Sequence, residues 1–201
     1  MKIMKKTRLL PPLFVGTRIG ISLTDSLVWG IRTAVLAEGH TAVLIDWGDG
    51  TRQTCEAVTE VTHTYPAPGK YEVRISDDIR SFNLHWGDDA KKLPVTSFAT
   101  NAKNLTSLSA YAFAECANLS VLDISPDAAL STCVIRAFKN CVSLPSELRL
   151  YHLKILASNT FEGCPQIRAL RFSAENKAEV LEKTGFATAF GAENATVYFD
   201  L

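Results

Sequence analysis

The chain has 201 residues, which is long enough for one large domain or two small ones. Its hydrophobic content of 47% is sufficient for packed cores. Its 21 basic and 21 acidic side chains cancel, so no net charge attracts the protein to nucleic acid or to an anionic membrane. No stretch approaches the roughly 20 apolar residues that a membrane-spanning helix needs. The composition therefore predicts a globular protein that neither binds nucleic acid nor inserts into a membrane.

Residues 1–18 start with several lysines and contain a short apolar run that Pro11 and Pro12 interrupt. A secretory signal peptide needs a longer apolar run followed by a small-residue cleavage site, and neither is clear here. We interpret this segment as a basic tail that leads into a first strand.

Residues 19–79 have the pattern of short strands separated by turns. Segments 18–23 and 70–75 alternate polar and apolar residues, and 42–45 is a short apolar run. Turn signals at 48–50 and 66–69 separate these segments. Several short strands at such intervals predict an antiparallel sandwich.

Two motifs in this region stand in a fixed order: D-W-G-D-G-T at residues 46–51, then H-T-Y and P-G-K-Y-E-V within residues 63–73. Together they resemble the signature of the polycystic-kidney-disease (PKD) domain, an immunoglobulin-like sandwich that serves as an interaction and spacer module. The glycines permit positive φ in an acidic turn, and the aromatic rings supply apolar anchors. The residues that carry the resemblance are Trp47, Gly48, Asp49, Gly50, His63, Tyr65, Gly69 and Tyr71.

After residue 94 one phrase, [A/T]-F-x-x-C-x-x-[L/I], occurs three times. Its phenylalanines are separated by 25 and then 23 residues, and a leucine precedes each of them by eight. Equivalent positions of such repeats stack on each other, so the phrase predicts a solenoid. The recurring residues are Phe113, Phe138 and Phe161, Cys116, Cys141 and Cys164, and Leu105, Leu130 and Leu153.

These repeats resemble the BspA-type leucine-rich repeats of many bacterial surface proteins and some protist proteins. The expected fold class is therefore a multidomain chain, with an immunoglobulin-like sandwich at 19–93 and a short solenoid at 94–172. Each repeat is expected to contain a strand and a short helix. Residues 173–201 are expected to form a cap with a helix over 174–183 and a strand over 195–199. A second W-G-D sequence at 86–88 is interpreted as part of the connector.

Candidate sites for chemistry are few. The repeat cysteines occupy one interchangeable position, which favours buried free thiols over nucleophiles, and the spacing of Cys55 and Cys133 gives no reason to pair them. Asp46 and Asp49 are either calcium ligands or acceptors for turn amides. The sequence thus predicts no catalytic residue, cofactor or firm metal site. The binding candidates are Arg149, Arg168 and Arg171, which form either a basic row on the repeat sheet or an ordinary solvated face.

Three functional hypotheses remain open. The first is a non-enzymatic adhesion module that binds a protein or a glycan through the repeat surface, as the two resemblances imply. The second is a structural part of a phage tail or another assembly, and the third is an accessory domain that binds polysaccharide. The resemblance favours the cell surface or the extracellular space, although residues 1–18 do not form a convincing signal peptide.

Overall fold

A computed structural model of the protein describes the backbone of residues 14–84, 94–184 and 190–201. The basic tail before residue 14 and the proposed connector motif at 86–88 lie outside these residues. A 3₁₀ turn at Ala174–Asn176 and one α-helix, α1 at Lys177–Thr184, are the helical segments in the described ranges. The strands are β1 Gly16–Leu23, β2 Val28–Leu36, β3 Val43–Asp46, β4 Arg52–Cys55, β5 Val58–Thr64, β6 Gly69–Ser76, β7 Ile79–Asn83, β8 Val95–Thr100, β9 Ser107–Leu108, β10 Val121–Ile124, β11 Thr132–Cys133, β12 Glu147–Leu150, β13 Ile155–Leu156, β14 Ala169–Phe172 and β15 Thr196–Phe199.

Two six-stranded sheets run through both halves of the chain. Sheet A has the order β10-β8-β1-β6-β3-β4, and sheet B has the order β13-β11-β9-β7-β2-β5. The strands before residue 84 pair antiparallel with one another, whereas the repeat strands pair parallel. A third sheet, sheet C, contains β12, β14 and β15 and closes the far end.

The expectation of a separate immunoglobulin-like sandwich followed by a leucine-rich-repeat solenoid is wrong. The protein is an all-β solenoid of about four turns with almost no helix. Strand β1 pairs with β8 from Thr17 to Ile21, and β7 pairs in parallel with β9. Because backbone ladders join the early strands to the repeats, the buried side chains of both halves form one continuous core.

The expectation of a short helix in each repeat is also wrong, because two residues in every repeat adopt left-handed backbone angles. These residues lie two positions before and two positions after the repeat phenylalanine. A right-handed helix cannot pass through such angles, so each block folds into consecutive turns instead. The first set is Tyr111, Arg136 and Asn159, with φ of 60°, 57° and 59°, and the second is Glu115, Asn140 and Gly163, with φ of 65°, 58° and 74°.

The repeat phenylalanines form a stacked column inside these turns. Ring centroids lie 5.3 Å apart between Phe113 and Phe138 and 5.6 Å apart between Phe138 and Phe161, with planes nearly parallel. The backbone N–H of Phe138 donates to the carbonyl of Thr160 in the next turn at 2.9 Å. In the same way, the N–H of Phe161 donates to the carbonyl of Phe190 at 2.7 Å. Phe190 therefore occupies a further turn level, which the sequence spacing did not reveal.

The repeat sheet is interrupted between β10 and β12, which belong to different sheets. The middle repeat has one extra residue, so Leu148 follows Phe138 by ten positions, whereas Leu122 follows Phe113 by nine. Side chains still alternate correctly, with Leu148 and Leu150 buried. The insertion thus preserves the core while separating sheet C from sheet A.

Candidate functional site

The two aspartates of the acidic turn, Asp46 and Asp49, already have hydrogen-bond partners within the protein. The backbone N–H of Gly48 donates to Asp46 Oδ1 at 3.0 Å, and Arg52 Nε lies 3.0 Å from Asp46 Oδ2. Asp49 accepts from the N–H and hydroxyl of Thr51 at 3.0 and 2.6 Å and from His63 Nε2 at 2.7 Å. Among the described residues, no group of three His, Cys, Asp or Glu side chains could hold a metal ion.

Burial of Asp49 alone would raise the pKa of its carboxyl, but the hydrogen bonds from Thr51 and His63 outweigh this effect. Together they hold the pKa of Asp49 at about 2, below its ordinary value of 3.8. Trp47 stacks on His63 with ring centroids 5.0 Å apart, and the Tyr65 hydroxyl donates to the Trp47 carbonyl at 3.2 Å. The aromatic residues of both motifs therefore support the turn from inside the core.

The repeat cysteines form a ladder of thiol hydrogen bonds. The Cys141 thiol donates to the carbonyl of Phe113 at 3.1 Å, and the Cys164 thiol donates to the carbonyl of Phe138 at 3.1 Å. Each of these two thiols thus adds a second donor to a carbonyl of the preceding turn, which already accepts from a backbone N–H of its own turn. All five cysteines of the chain are free and buried, including Cys55 and Cys133.

Burial raises the pKa of these thiols, to about 12 for both Cys133 and Cys164. The thiol pKa of Cys116 and that of Cys141 are also raised, again mainly by burial. A thiolate is the reactive form of cysteine, so the raised pKa values leave these side chains chemically inert at neutral pH.

The described histidines bond within the fold. Nδ1 of His40 lies 2.6 Å from Asp78 Oδ1, and Nε2 of His152 donates to the carbonyl of Pro126. The Asp77 carboxylate accepts from the backbone amides of Lys103 and Asn104 at 2.9 and 2.8 Å. The two hydrogen bonds of Asp77 connect the β6–β7 turn to the start of the repeat region.

The arginine candidates fall into two environments. Arg149 and Arg171 are direct register partners on β12 and β14, on the outer face of sheet C. Arg168 lies just before β14, and its guanidinium donates to the backbone carbonyls of Pro165 and Ile167. The structure therefore brings two of the three arginines together on one face.

Arg171 is held in place on three sides. Its Nε lies 3.2 Å from Glu147 Oε2, its Nη1 contacts Asp200, and its guanidinium carbon is 4.4 Å from the ring centroid of Tyr198. The hydrogen bonds that Arg171 donates to Asp200 and Glu147 raise the pKa of its guanidinium. These three contacts thus hold the guanidinium in one position.

Arg149 is the more accessible cation, since 62% of its side chain is exposed against 26% for Arg171. Its Nε lies 3.5 Å from Glu147 Oε1, so Glu147 bridges the two arginines. Three further members of this cluster were not among the candidates predicted from the sequence: Glu147, Tyr198 and Asp200. Alternation along β12 indicates that Glu147 and Arg149 share a face, but only the β14–β15 pairing brings Tyr198 beside Arg171.

Comparison with known families matched the BspA-type leucine-rich-repeat region, in six copies, to residues 91–194. The match covers just over half of the chain, so the protein belongs to this family of leucine-rich-repeat proteins. It begins at residue 91 and so lends no support to the PKD resemblance of residues 19–79. Comparisons with curated proteins and with solved structures found no match.

Membership in this family suggests a surface that binds proteins, and such repeats are typically non-enzymatic. No helix in the described part of the chain is long and apolar enough to cross a membrane.

Proposed function

We propose that the protein is a non-enzymatic interaction module that binds a partner protein through the outer face of sheet C. The observation that carries the proposal is the prepared state of Arg171, fixed by Glu147, Tyr198 and Asp200 beside the exposed Arg149. Arginines and tyrosines contribute strongly to protein interfaces, because each combines a large contact area with hydrogen-bonding groups. A side chain that is already immobile also loses less entropy on binding.

A protein partner fits this face better than a glycan. Among the exposed large hydrophobic side chains that the structure describes, Tyr198 alone is aromatic, and Arg171 already covers its ring. The face also alternates charge, with Glu147 and Asp200 beside the two arginines. Alternating charge complements the mixed surface of a protein and repels part of any uniform polyanion.

The family resemblance supports a place at the cell surface, where adhesion to a host or neighbouring cell would be the biological role. That location and role are part of the proposal.

The test uses the intact chain against a panel of purified matrix and cell-surface proteins and against a glycan array. We expect saturable binding to at least one protein, weakened about tenfold by Arg149→Glu, since an exposed interface charge is reversed without disturbing the core. Arg80→Glu is the matched control, because Arg80 is exposed on β7 of sheet B. Glycan binding without protein binding, or equal losses in both variants, would overturn the proposal.

A further inference from the structure

A depression on the outer face of sheet A combines apolar walls with a rim of guanidinium groups. Its volume is about 190 Å³, and it lies where β3, β4 and β6 meet the start of β1. The lining residues are Phe14, Leu44, Asp46, Arg52, Arg74 and Ser76.

The walls remain open to solvent although they are apolar. Leu44 is 42% exposed, and Phe14 is half-buried beside the first residues of β1. The backbone of Phe14 is held in place, because its carbonyl accepts from Asn101 Nδ2 at 3.0 Å. An apolar side chain placed between Phe14 and Leu44 would remove both from water, which favours binding.

The rim carries an excess of positive charge. Arg52 pairs with Asp46 at 3.0 Å and its side chain is 69% exposed, whereas Arg74 pairs with Glu72 at 2.8 Å and its side chain is 49% exposed. Arg18 lies opposite Arg74 in the register of β1 and β6, is exposed, and forms no ion pair with any residue that the structure describes. Three guanidinium groups therefore face two carboxylates.

Another carboxylate close to this rim, that of Asp78, already has hydrogen-bond partners. Asp78 accepts from the hydroxyl of Ser76, which lines the depression, and lies 2.6 Å from His40. Its carboxylate oxygens therefore already have partners within the fold.

We infer that this depression binds an acidic segment of a partner protein, in which an apolar side chain alternates with carboxylates. The apolar side chain fits between Phe14 and Leu44, and the neighbouring carboxylates pair with Arg74 and Arg18. A guanidinium offers paired N–H donors that match a carboxylate, so both contacts are charge-assisted hydrogen bonds. The inference rests on the proposed function, because it adds a second contact region to an interaction module.

A segment with apolar residues is favoured over a uniform polyanion for two reasons. The polyanion leaves the apolar walls exposed, and it approaches the carboxylates of Asp46 and Glu72 without compensation.

The probe is the peptide acetyl-Glu-Leu-Glu-Leu-Glu-amide, titrated into the ¹⁵N-labelled intact chain and followed by NMR. We expect saturable shifts at amides of β3 and β6, with affinity weakened about fivefold by Arg74→Gln and by Leu44→Ser. Arg80→Gln is the control and leaves the affinity unchanged, since Arg80 is exposed on β7 of sheet B, away from the depression. Both pocket substitutions are at exposed positions, and an unchanged thermal midpoint verifies the fold of each variant.

Equal binding of a penta-glutamate peptide, or of the lysine analogue of the probe, would overturn the inference, as would an absence of shifts in β3 and β6. The result is separable from the test of the proposed function. If the peptide does not bind but the protein panel gives the expected result, only the inference about the depression is refuted. If Arg149→Glu and its control lose panel binding equally, only the proposed role of the sheet C face is refuted.

Discussion

At the scale of single residues, the cysteine of the repeat phrase has a defined role. A thiol is small enough for the crowded interior of the turn, and it donates a weak hydrogen bond to the carbonyl of the preceding turn. An alanine leaves that carbonyl with a single donor, the backbone N–H three residues further along its own turn. The sequence spacing identified the equivalent positions, but it could not show which acceptor each thiol meets, since that depends on how far one turn is offset from the next.

Cys141→Ala should lower the free energy of unfolding by about 1–2 kcal/mol, because it removes a sulfur atom from a filled interior and one of the two donors to the Phe113 carbonyl. Urea unfolding measures the change. Cys133→Ala is the matched control, since Cys133 is equally buried but donates no hydrogen bond that the structure records. Equal losses in the two variants would show that the thiol hydrogen bond contributes nothing.

At the scale of structural elements, the repeat block is decided by its two left-handed positions rather than by helix propensity. Only one of the six is glycine; the others include Tyr111 and Arg136, whose side chains contact each other, with Arg136 Nη1 3.0 Å from the Tyr111 hydroxyl. Contacts between turns therefore hold backbone angles that the isolated residues disfavour. That is why the short helix predicted for each repeat is absent.

Gly163→Ala should be more destabilising than an ordinary glycine substitution. Gly163 has φ of 74°, and a Cβ there would overlap the side-chain oxygen of Asn140. We expect a loss of about 2–3 kcal/mol, of which the strained backbone accounts for about 1. Thermal unfolding provides the measurement.

The control for this prediction is Gly39→Ala, because Gly39 has a similar φ of 80° but no neighbouring atom within 4 Å of the added Cβ. It isolates the backbone cost from the overlap. If Gly163→Ala lowers the stability no more than Gly39→Ala does, the turn that contains Asn140 moves away from the added Cβ without an energetic cost.

For the candidate site, the sequence predicts part of the arrangement on sheet C but not all of its contacts. Alternation along β12 and β14 places Glu147, Arg149 and Arg171 on the outer face. The contact of Arg171 with Tyr198 depends on β15, which pairs with β14 after α1 has intervened. Sequence patterns specify which side of a strand a residue faces, but not which strands become neighbours.

At the scale of the whole molecule, several strands were predicted from the sequence, but their assembly was not. Segments 18–23, 42–45 and 70–75 correspond closely to β1, β3 and β6. The change from antiparallel to parallel pairing occurs within shared sheets, across strand β8 in sheet A and across strand β7 in sheet B. Two distinct sequence patterns therefore suggested two folds, although a strand can pair antiparallel on one edge and parallel on the other. The domain limits at residues 19, 94 and 173 remain predictions.

The most direct test of the shared core is an equilibrium urea titration that follows both halves of one chain. In a Trp86→Phe variant, fluorescence reports on Trp29 and Trp47. A brief alkylation pulse at pH 8, read by mass spectrometry, reports on the thiols of Cys116, Cys141 and Cys164, which are buried and protonated when folded. One continuous core predicts that fluorescence and thiol exposure change at the same urea concentration. Two separated midpoints, with thiols still protected after the fluorescence change is complete, would contradict it.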